Sequence, residues 1–229
     1  MREIPWSHSL LDAYETCPKR YYLTKVVKAV TEPLSEQMKW GNKVHKALEL
    51  RIAKHTPLPE DLTQYEPFAA KMLKAAEGGQ ITAEQRLGLN RDFNPVSFFA
   101  KDIWVRCITD VTVEKGKAVL IADWKTGKPK PNSAQLKLSA AVTFHQKPYV
   151  EKIVNTFIWL QHGTTTTETY TPEDIPKIWN EFLPRVHHLN EAHHQYSQNP
   201  DQASRAFPPK PSGLCRSWCP CKTCEFNGQ

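Results

Sequence analysis

The stretch VLIADWKTGKPKP, residues 119–131, decides how the chain is read. A short apolar run of the kind that fills a buried strand ends in aspartate, tryptophan and lysine, and a Gly/Pro turn then breaks it. Side chains alternate along a strand, so Asp123 and Lys125 point to one face and Trp124 to the other. A carboxylate and an ammonium therefore stand together where a sheet ends.

Toward the N-terminus, WVRCITDVTV, EKGK and AVLIADWK read as a hairpin. With Lys115-Gly116 as a two-residue turn, Glu114 pairs with Lys117 and Asp110 lies opposite Ile121, one diagonal step from Asp123 on the same face. The other face collects Ile103, Val105, Cys107, Val111, Ala118, Leu120, Ala122 and Trp124 and is the expected core side, with Cys107 a small buried hydrophobe. Two carboxylates and a lysine on one face suit a hard divalent cation held through oxygen, with an ammonium able to orient or deprotonate water. A D-x-K triplet taken alone is more simply an exposed ion pair. The apolar lead-in, the same-face Asp110 and a histidine on a preceding helix favour the site.

That histidine, His45, lies in a helix expected over about Leu34 to Lys54, whose apolar stripe is Val44, Ala47, Leu48 and Ile52; Glu49 shares a neighbouring face with His45. An earlier helix in SHSLLDAYETCPKRYYL is capped by Ser7 and ended by Pro18, which leaves Cys17 at a helix end. A third helix is expected around Leu62 to Ala76, and QITAEQRLGLN is extended. SAQLKLSAAVTFHQ reads as a helix, VNTFIWLQHG and TTTTETY as strands. Thr171-Pro172 opens a last helix, interrupted at Pro176 and Pro184, that runs to about Gln195. The predicted fold is α/β: a central mixed β-sheet flanked by helices in one domain, with an N-terminal helical lobe (1–78), a sheet core (79–170) and a C-terminal helix with a cysteine-rich tail (171–229).

No window of the 229 residues approaches the ~18 uninterrupted apolar residues of a membrane span. The N-terminus MREIPWSHS lacks the apolar core of a signal peptide, so the thiols are expected in a reducing bacterial cytoplasm. A net charge of +6 favours polyanionic partners. Seven tryptophans and eighteen prolines suit either aromatic platforms for bases or plain packing.

In their order along the chain, SHSLLDAYETCPKRYYL, WGNKVHKALE, ITDVT, IADWKTGK, QLKLSAAV and the cysteine-rich tail resemble the PD-(D/E)XK nucleases, specifically the RecB-like exonuclease branch of phages and CRISPR-associated nucleases. The resemblance implies that His45, Asp110, Asp123 and the main-chain carbonyl of Trp124 hold magnesium or manganese. It implies that Lys125 positions and activates the attacking water, with Gln135 beside the site. The substrate implied is DNA with free ends, single- or double-stranded, and phage relatives work beside a strand-annealing recombination protein. Two departures stand out: Ser139 occupies the place of a family tyrosine and is given no role, and Asp123 stands where the family often has glutamate. Glu84 resembles a glutamate before the family's first central strand, although a solvated strand residue is the favoured reading. The rivals are a structure-specific endonuclease of the same fold and a noncatalytic nucleic-acid-binding protein with a structural zinc.

Cys215, Cys219, Cys221 and Cys224 crowd the tail, a density that in a reducing compartment points to metal rather than disulfides. By resemblance, Cys17 with Cys215, Cys219 and Cys224 would hold a four-iron, four-sulfur cluster, Cys221 being spare. Three and then four residues separate these last three ligands, where the family commonly has two and then five, so zinc held by tail cysteines stays open. A cysteine just before Pro18 is otherwise unexplained, which favours iron–sulfur. His187, His188, His193 and His194 lack the spacing that puts two imidazoles around an ion and read as a solvated helix face. Lys128 and Lys130 suit phosphates or a mobile basic loop equally, and Tyr14, Arg20 and Tyr21 suit a single-strand channel or packing around Cys17.

Overall fold

The computed structural model describes residues 3–131 and 133–229. Helix α1 (His8–Thr16) begins at Ser7, whose hydroxyl accepts from the Leu10 N–H, and α2 (Pro18–Tyr21) follows directly, with proline at its first position. Ser35 caps α3 (Glu36–Lys54) in the same way, accepting from the Met38 N–H at 3.2 Å. A 3-10 turn (Glu60–Tyr65) precedes α4 (Glu66–Ala75), so the third expected helix starts four residues late, at the first-turn pair Glu66-Pro67. Then come β1 (Gln80–Leu89), β2 (Val105–Lys115), β3 (Ala118–Lys125), α5 (Ala134–Gln146), β4 (Lys152–Trp159) and β5 (Thr164–Tyr170). Thr171 and Asp174 form a capping box ahead of α6 (Ile175–Gln198), which contains Pro184 without ending there. The short helices α7 (Ala203–Ala206) and α8 (Leu214–Ser217) complete the chain.

The five strands form one mixed sheet in the order β1-β2-β3-β4-β5, antiparallel except for β3 and β4. A parallel neighbour needs a crossover, and α5 supplies it. This is the α/β sheet flanked by helices that the hydrophobic pattern predicts. The chain divides into two compact units, residues 35–179 with the sheet and residues 3–34 with 180–229. Helices α3 and α4, which the sequence grouped with the N-terminal segment 1–78, belong to the sheet unit.

The β2–β3 register differs from the expected one. Lys115 pairs with Ala118, so the turn is Gly116-Lys117, and Gly116 at φ +56° takes the first central position, where a two-residue hairpin turn wants a glycine. Shifting the turn by one residue moves the register by two and keeps every face. It brings Asp110 level with Asp123 instead of Ile121, just past the last ladder pair Val111↔Ala122.

The core face is also shorter than expected. Val44, Leu48 and Ile52 of α3 and Ala69 and Met72 of α4 cluster with Ile81, Ala83, Val111, Val113, Leu120, Ala122 and Trp124 of the sheet. Ile103 and Val105 are buried as expected, at 6% and 0%, but outside that cluster, Cys107 is half-buried and Ala118 is exposed. The β1–β2 ladder is interrupted nearby: pairs run from Gln80↔Glu114 to Ala83↔Val111 and resume in the same register at Gln85↔Thr109, skipping Glu84 and Asp110. Beyond the break Thr109 Oγ1 lies 2.9 Å from Thr112 Oγ1, a contact between positions three apart that an unbroken strand would hold on opposite faces.

In the other unit, Trp6 stacks on Phe182 at 5.9 Å and Tyr22 on Phe207 at 5.1 Å. Tyr21 is buried with its hydroxyl 2.8 Å from His193 Nε2, and Arg20 pairs with Glu32 at 2.7 Å. Tyr21 packs on Phe207 and His193, and Arg20 and Tyr21 also line a cavity of about 310 Å³. Among the described residues the four histidines of α6 form no metal-like group.

Candidate active site

His45, Asp110, Asp123, Lys125 and Gln135, singled out in the sequence, lie around the end of β3. Asp110 Oδ2 accepts the Trp124 peptide N–H at 2.8 Å, which locks the carboxylate across the fraying end of the hairpin. The same oxygen lies 3.3 Å from Nδ1 of His45, which α3 delivers because Val44 and Leu48 on either side of it are anchored in the core. The Trp124 ring, 1% exposed, belongs to that core, so the tryptophan holds the strand while its neighbours reach the site.

Glu84 joins them. One ligand atom each from His45, Glu84 and Asp110 lies within 4.8 Å of the others. Glu84 sits at φ +49°, a left-handed conformation that costs a non-glycine residue about 1–3 kcal/mol and persists only where the surroundings hold it. This is the same residue at which the β1–β2 ladder breaks, so the distortion coincides with the cluster. Of its two sequence readings, the solvated strand residue gives way to membership of the cluster. Burial first, then the charges of Asp110 and Glu49, push the Glu84 carboxyl up.

Asp123 is 7% exposed. Its Oδ1 accepts from the Gln135 amide, and its Oδ2 lies 2.7 Å from Lys125 Nζ. Lys125 in turn donates to Gln135 Oε1 at 2.9 Å and rests 4.7 Å above the Phe157 ring. Gln135 therefore bridges carboxylate and ammonium from the first turn of α5. Ser139, one turn on, donates to the Gln135 carbonyl and accepts from Asn155 at 2.6 Å, so the residue in the family tyrosine's place ties α5 to β4. Burial and the nearby Asp110 charge raise the Asp123 carboxyl to about 6, against the opposing pull of Lys125. Burial works against a charged His45, but its hydrogen bond to Asp110 and the charges of Asp110 and Asp123 prevail and raise it.

The donors within ligand distance of one another are one imidazole and two carboxylates, oxygen-rich as magnesium and manganese require; Asp123 is outside that group, held by Lys125 and Gln135. Among the described residues Asp123 Oδ2 is buried with no hydrogen-bond partner, and the Lys125 ammonium lies 2.7 Å from it. A buried carboxylate oxygen in that state fits a ligand position. A cleft of about 590 Å³, lined by Met38, His45, Lys46, Glu84 and Thr126 among others, opens on the cluster.

In the other unit Cys17, Cys215, Cys219, Cys221 and Cys224 line one small cavity of about 10 Å³ beside Lys19 and Arg20, and none forms a disulfide. Cys221, read as spare, is 1% exposed, and burial together with Cys219, Cys17 and Cys224 pushes its thiol up to about 12. Cys107 is raised to about 12 by burial, as an inert interior thiol should be.

Residues 5–227 match the model of the PD-(D/E)XK nuclease superfamily. No curated protein matches the chain. Among solved structures it is similar to a "Putative exonuclease" from Eubacterium rectale, at 11% identity and TM-score 0.47, covering 91% of this chain and 85% of that one. It is also similar to SSO0001, at 13% identity and TM-score 0.43, covering 81% and 77%.

Proposed function

Because this chain belongs to the PD-(D/E)XK nuclease superfamily, we propose that it is a magnesium- or manganese-dependent deoxyribonuclease that hydrolyses phosphodiester bonds from DNA ends. The observation that carries the reading is the convergence of His45, Glu84 and Asp110 within ligand distance beside the Asp123–Lys125–Gln135 triplet. His45, Asp110 and Asp123 would hold the cation, with the Trp124 carbonyl as the family resemblance implies, and Glu84 is the added ligand. A divalent cation bound there supplies positive charge against the scissile phosphate and acidifies a water. Lys125, fixed by Asp123 and Gln135, orients that water and takes part in moving its proton. Gln135 bonds both the lysine and the carboxylate and so fixes the pair from a second side. The preference for ends follows from the resemblance to the RecB-like branch.

End-labelled linear duplex and a covalently closed circle, each incubated with Mn2+, test this directly. The expected result is release of labelled nucleotide from the linear DNA with the circle intact. Linearisation of the circle would make the protein an endonuclease of the same fold, and no hydrolysis of either would leave the nucleic-acid binder.

For the five cysteines we propose an iron–sulfur cluster held by Cys17 and three tail cysteines, with Cys221 as the alternative to Cys219. The reading is supported by these five cysteines lining one cavity with no disulfide among them. Protein purified without oxygen is expected to be brown, and Cys17→Ser to lose that visible absorption and most of its iron. A colourless protein carrying one zinc would contradict it.

A further inference from the structure

The β1–β2 connection does more than join two strands. Asn90 accepts the N–H groups of Asp92 and Asn94 through its side chain, Leu89 bridges Pro95, and Val96 N–H bonds the Gly88 carbonyl. Phe93 packs on Trp104 at 5.5 Å and on His145 at 5.1 Å. The connection is pinned along its length, yet it turns a large apolar ring outward: Phe99 is 73% exposed, the most exposed of the large hydrophobic residues.

That ring is set among cations. Arg86 lies over both Phe98 and Phe99 at 5.8 Å, and Arg106 lies over Phe98 at 5.5 Å while donating to the Phe98 carbonyl at 3.0 Å. Phe98 and Phe99 meet edge to face at 5.2 Å, and Ile108, the ladder partner of Arg86, is 41% exposed beside them. The patch adjoins the cation cluster: Arg86 is two residues from Glu84 on β1, close enough for its charge to act on that carboxyl. Two arginines and an unburied aromatic, held in place beforehand, combine what an unpaired strand needs, a π-face for a base and positive charge for its phosphates. A duplex offers its bases only as groove edges, so the exposed ring has no use for it.

We propose that Arg86, Phe98, Phe99 and Arg106 form a stacking platform for single-stranded DNA, which leads an unpaired strand to the His45–Glu84–Asp110 cluster. Phe99 stacks on a base and the arginines pair with the flanking phosphates. The inference rests on the nuclease reading, and its test separates the two because binding is measured in EDTA, where no hydrolysis occurs.

Fluorescence anisotropy with a labelled oligothymidylate of about 16 nucleotides and with a blunt hairpin duplex is the measurement. Phe99→Ala is expected to weaken oligothymidylate binding about 5- to 100-fold, the value of one stacked base, with the duplex affinity unchanged. Phe99→Trp restores or tightens single-strand binding. Arg86→Ala weakens it and flattens its salt dependence. Equal oligothymidylate affinity for wild type and Phe99→Ala would overturn the proposal. So would a wild type that ignores the oligonucleotide but self-associates through this face, seen as sedimentation that turns monomeric on Phe99→Ala.

Discussion

Lys125→Ala protein is expected to lose about 10²- to 10⁴-fold of its Mn2+-dependent DNA hydrolysis while folding normally and binding DNA as before. The lysine is 29% exposed at its side chain, so its removal opens no large cavity. What disappears is the ammonium 2.7 Å from Asp123 and 2.9 Å from Gln135, placed to orient water beside the carboxylates. Asp123 loses its partner, which raises that carboxyl further, so the assay belongs at pH 8, where it still ionises for a cation. Lys125→Arg should not restore the rate, because a guanidinium does not give up its proton. A single-turnover rate with Lys125→Ala equal to wild type would remove the lysine from the chemistry.

Asp123→Asn is the second large effect, and it acts in two directions. Activity and cation binding should both be abolished. Metal-free stability should rise. The Asp123 carboxyl stands at about 6 in the folded protein against an ordinary 3.8. For an acid raised on folding, the associated stability is fully present below the unfolded value and is lost as pH rises through the folded one. At pH 8 the metal-free wild type therefore bears the cost of an ionised buried carboxylate, on the order of 1–3 kcal/mol, and the asparagine does not. His45, raised in the same site, adds to the same trend, since its contribution fades as pH rises past its own folded value. Thermal unfolding in EDTA should place the variant above wild type at pH 8, with the gap closing toward pH 4. Mn2+ at a hundredfold excess over its Kd should then stabilise wild type by about 3 kcal/mol and leave the variant unmoved. A variant less stable than wild type at pH 8 would show that Asp123 is a structural ion pair rather than a strained ligand.

Much of this site was legible before any coordinates, and the reasons are local. An apolar run ending in Asp-Trp-Lys fixes two faces by alternation alone, and that survives even a misplaced turn: reading Lys115-Gly116 for Gly116-Lys117 shifted the register by two and left Asp110 on the right side. His45 followed from helical spacing, because its neighbours Val44 and Leu48 define the buried stripe. Gln135 entered by resemblance, and its bridging bonds depend on a crossover whose length no pattern dictates. For Glu84 the sequence favours a solvated strand residue, and the structure places it in the cluster instead. A long connection, not a tight turn, joins β1 to β2, so nothing local sets their register, and a left-handed glutamate breaks the alternation on which strand reading relies. Cys221 was taken as spare because spacing counts residues and cannot show which thiol turns inward.

The central claim is that His45, Asp110 and Asp123, with Glu84, gather about one divalent cation. The most direct measurement is anomalous diffraction at the manganese edge from crystals of the protein soaked in Mn2+. The account predicts a peak about 2.0–2.4 Å from a His45 imidazole nitrogen and from carboxylate oxygens of Asp110 and Asp123, absent in crystals of Asp110→Asn. A manganese peak elsewhere with none at this cluster, from protein that hydrolyses DNA under the same conditions, would contradict it.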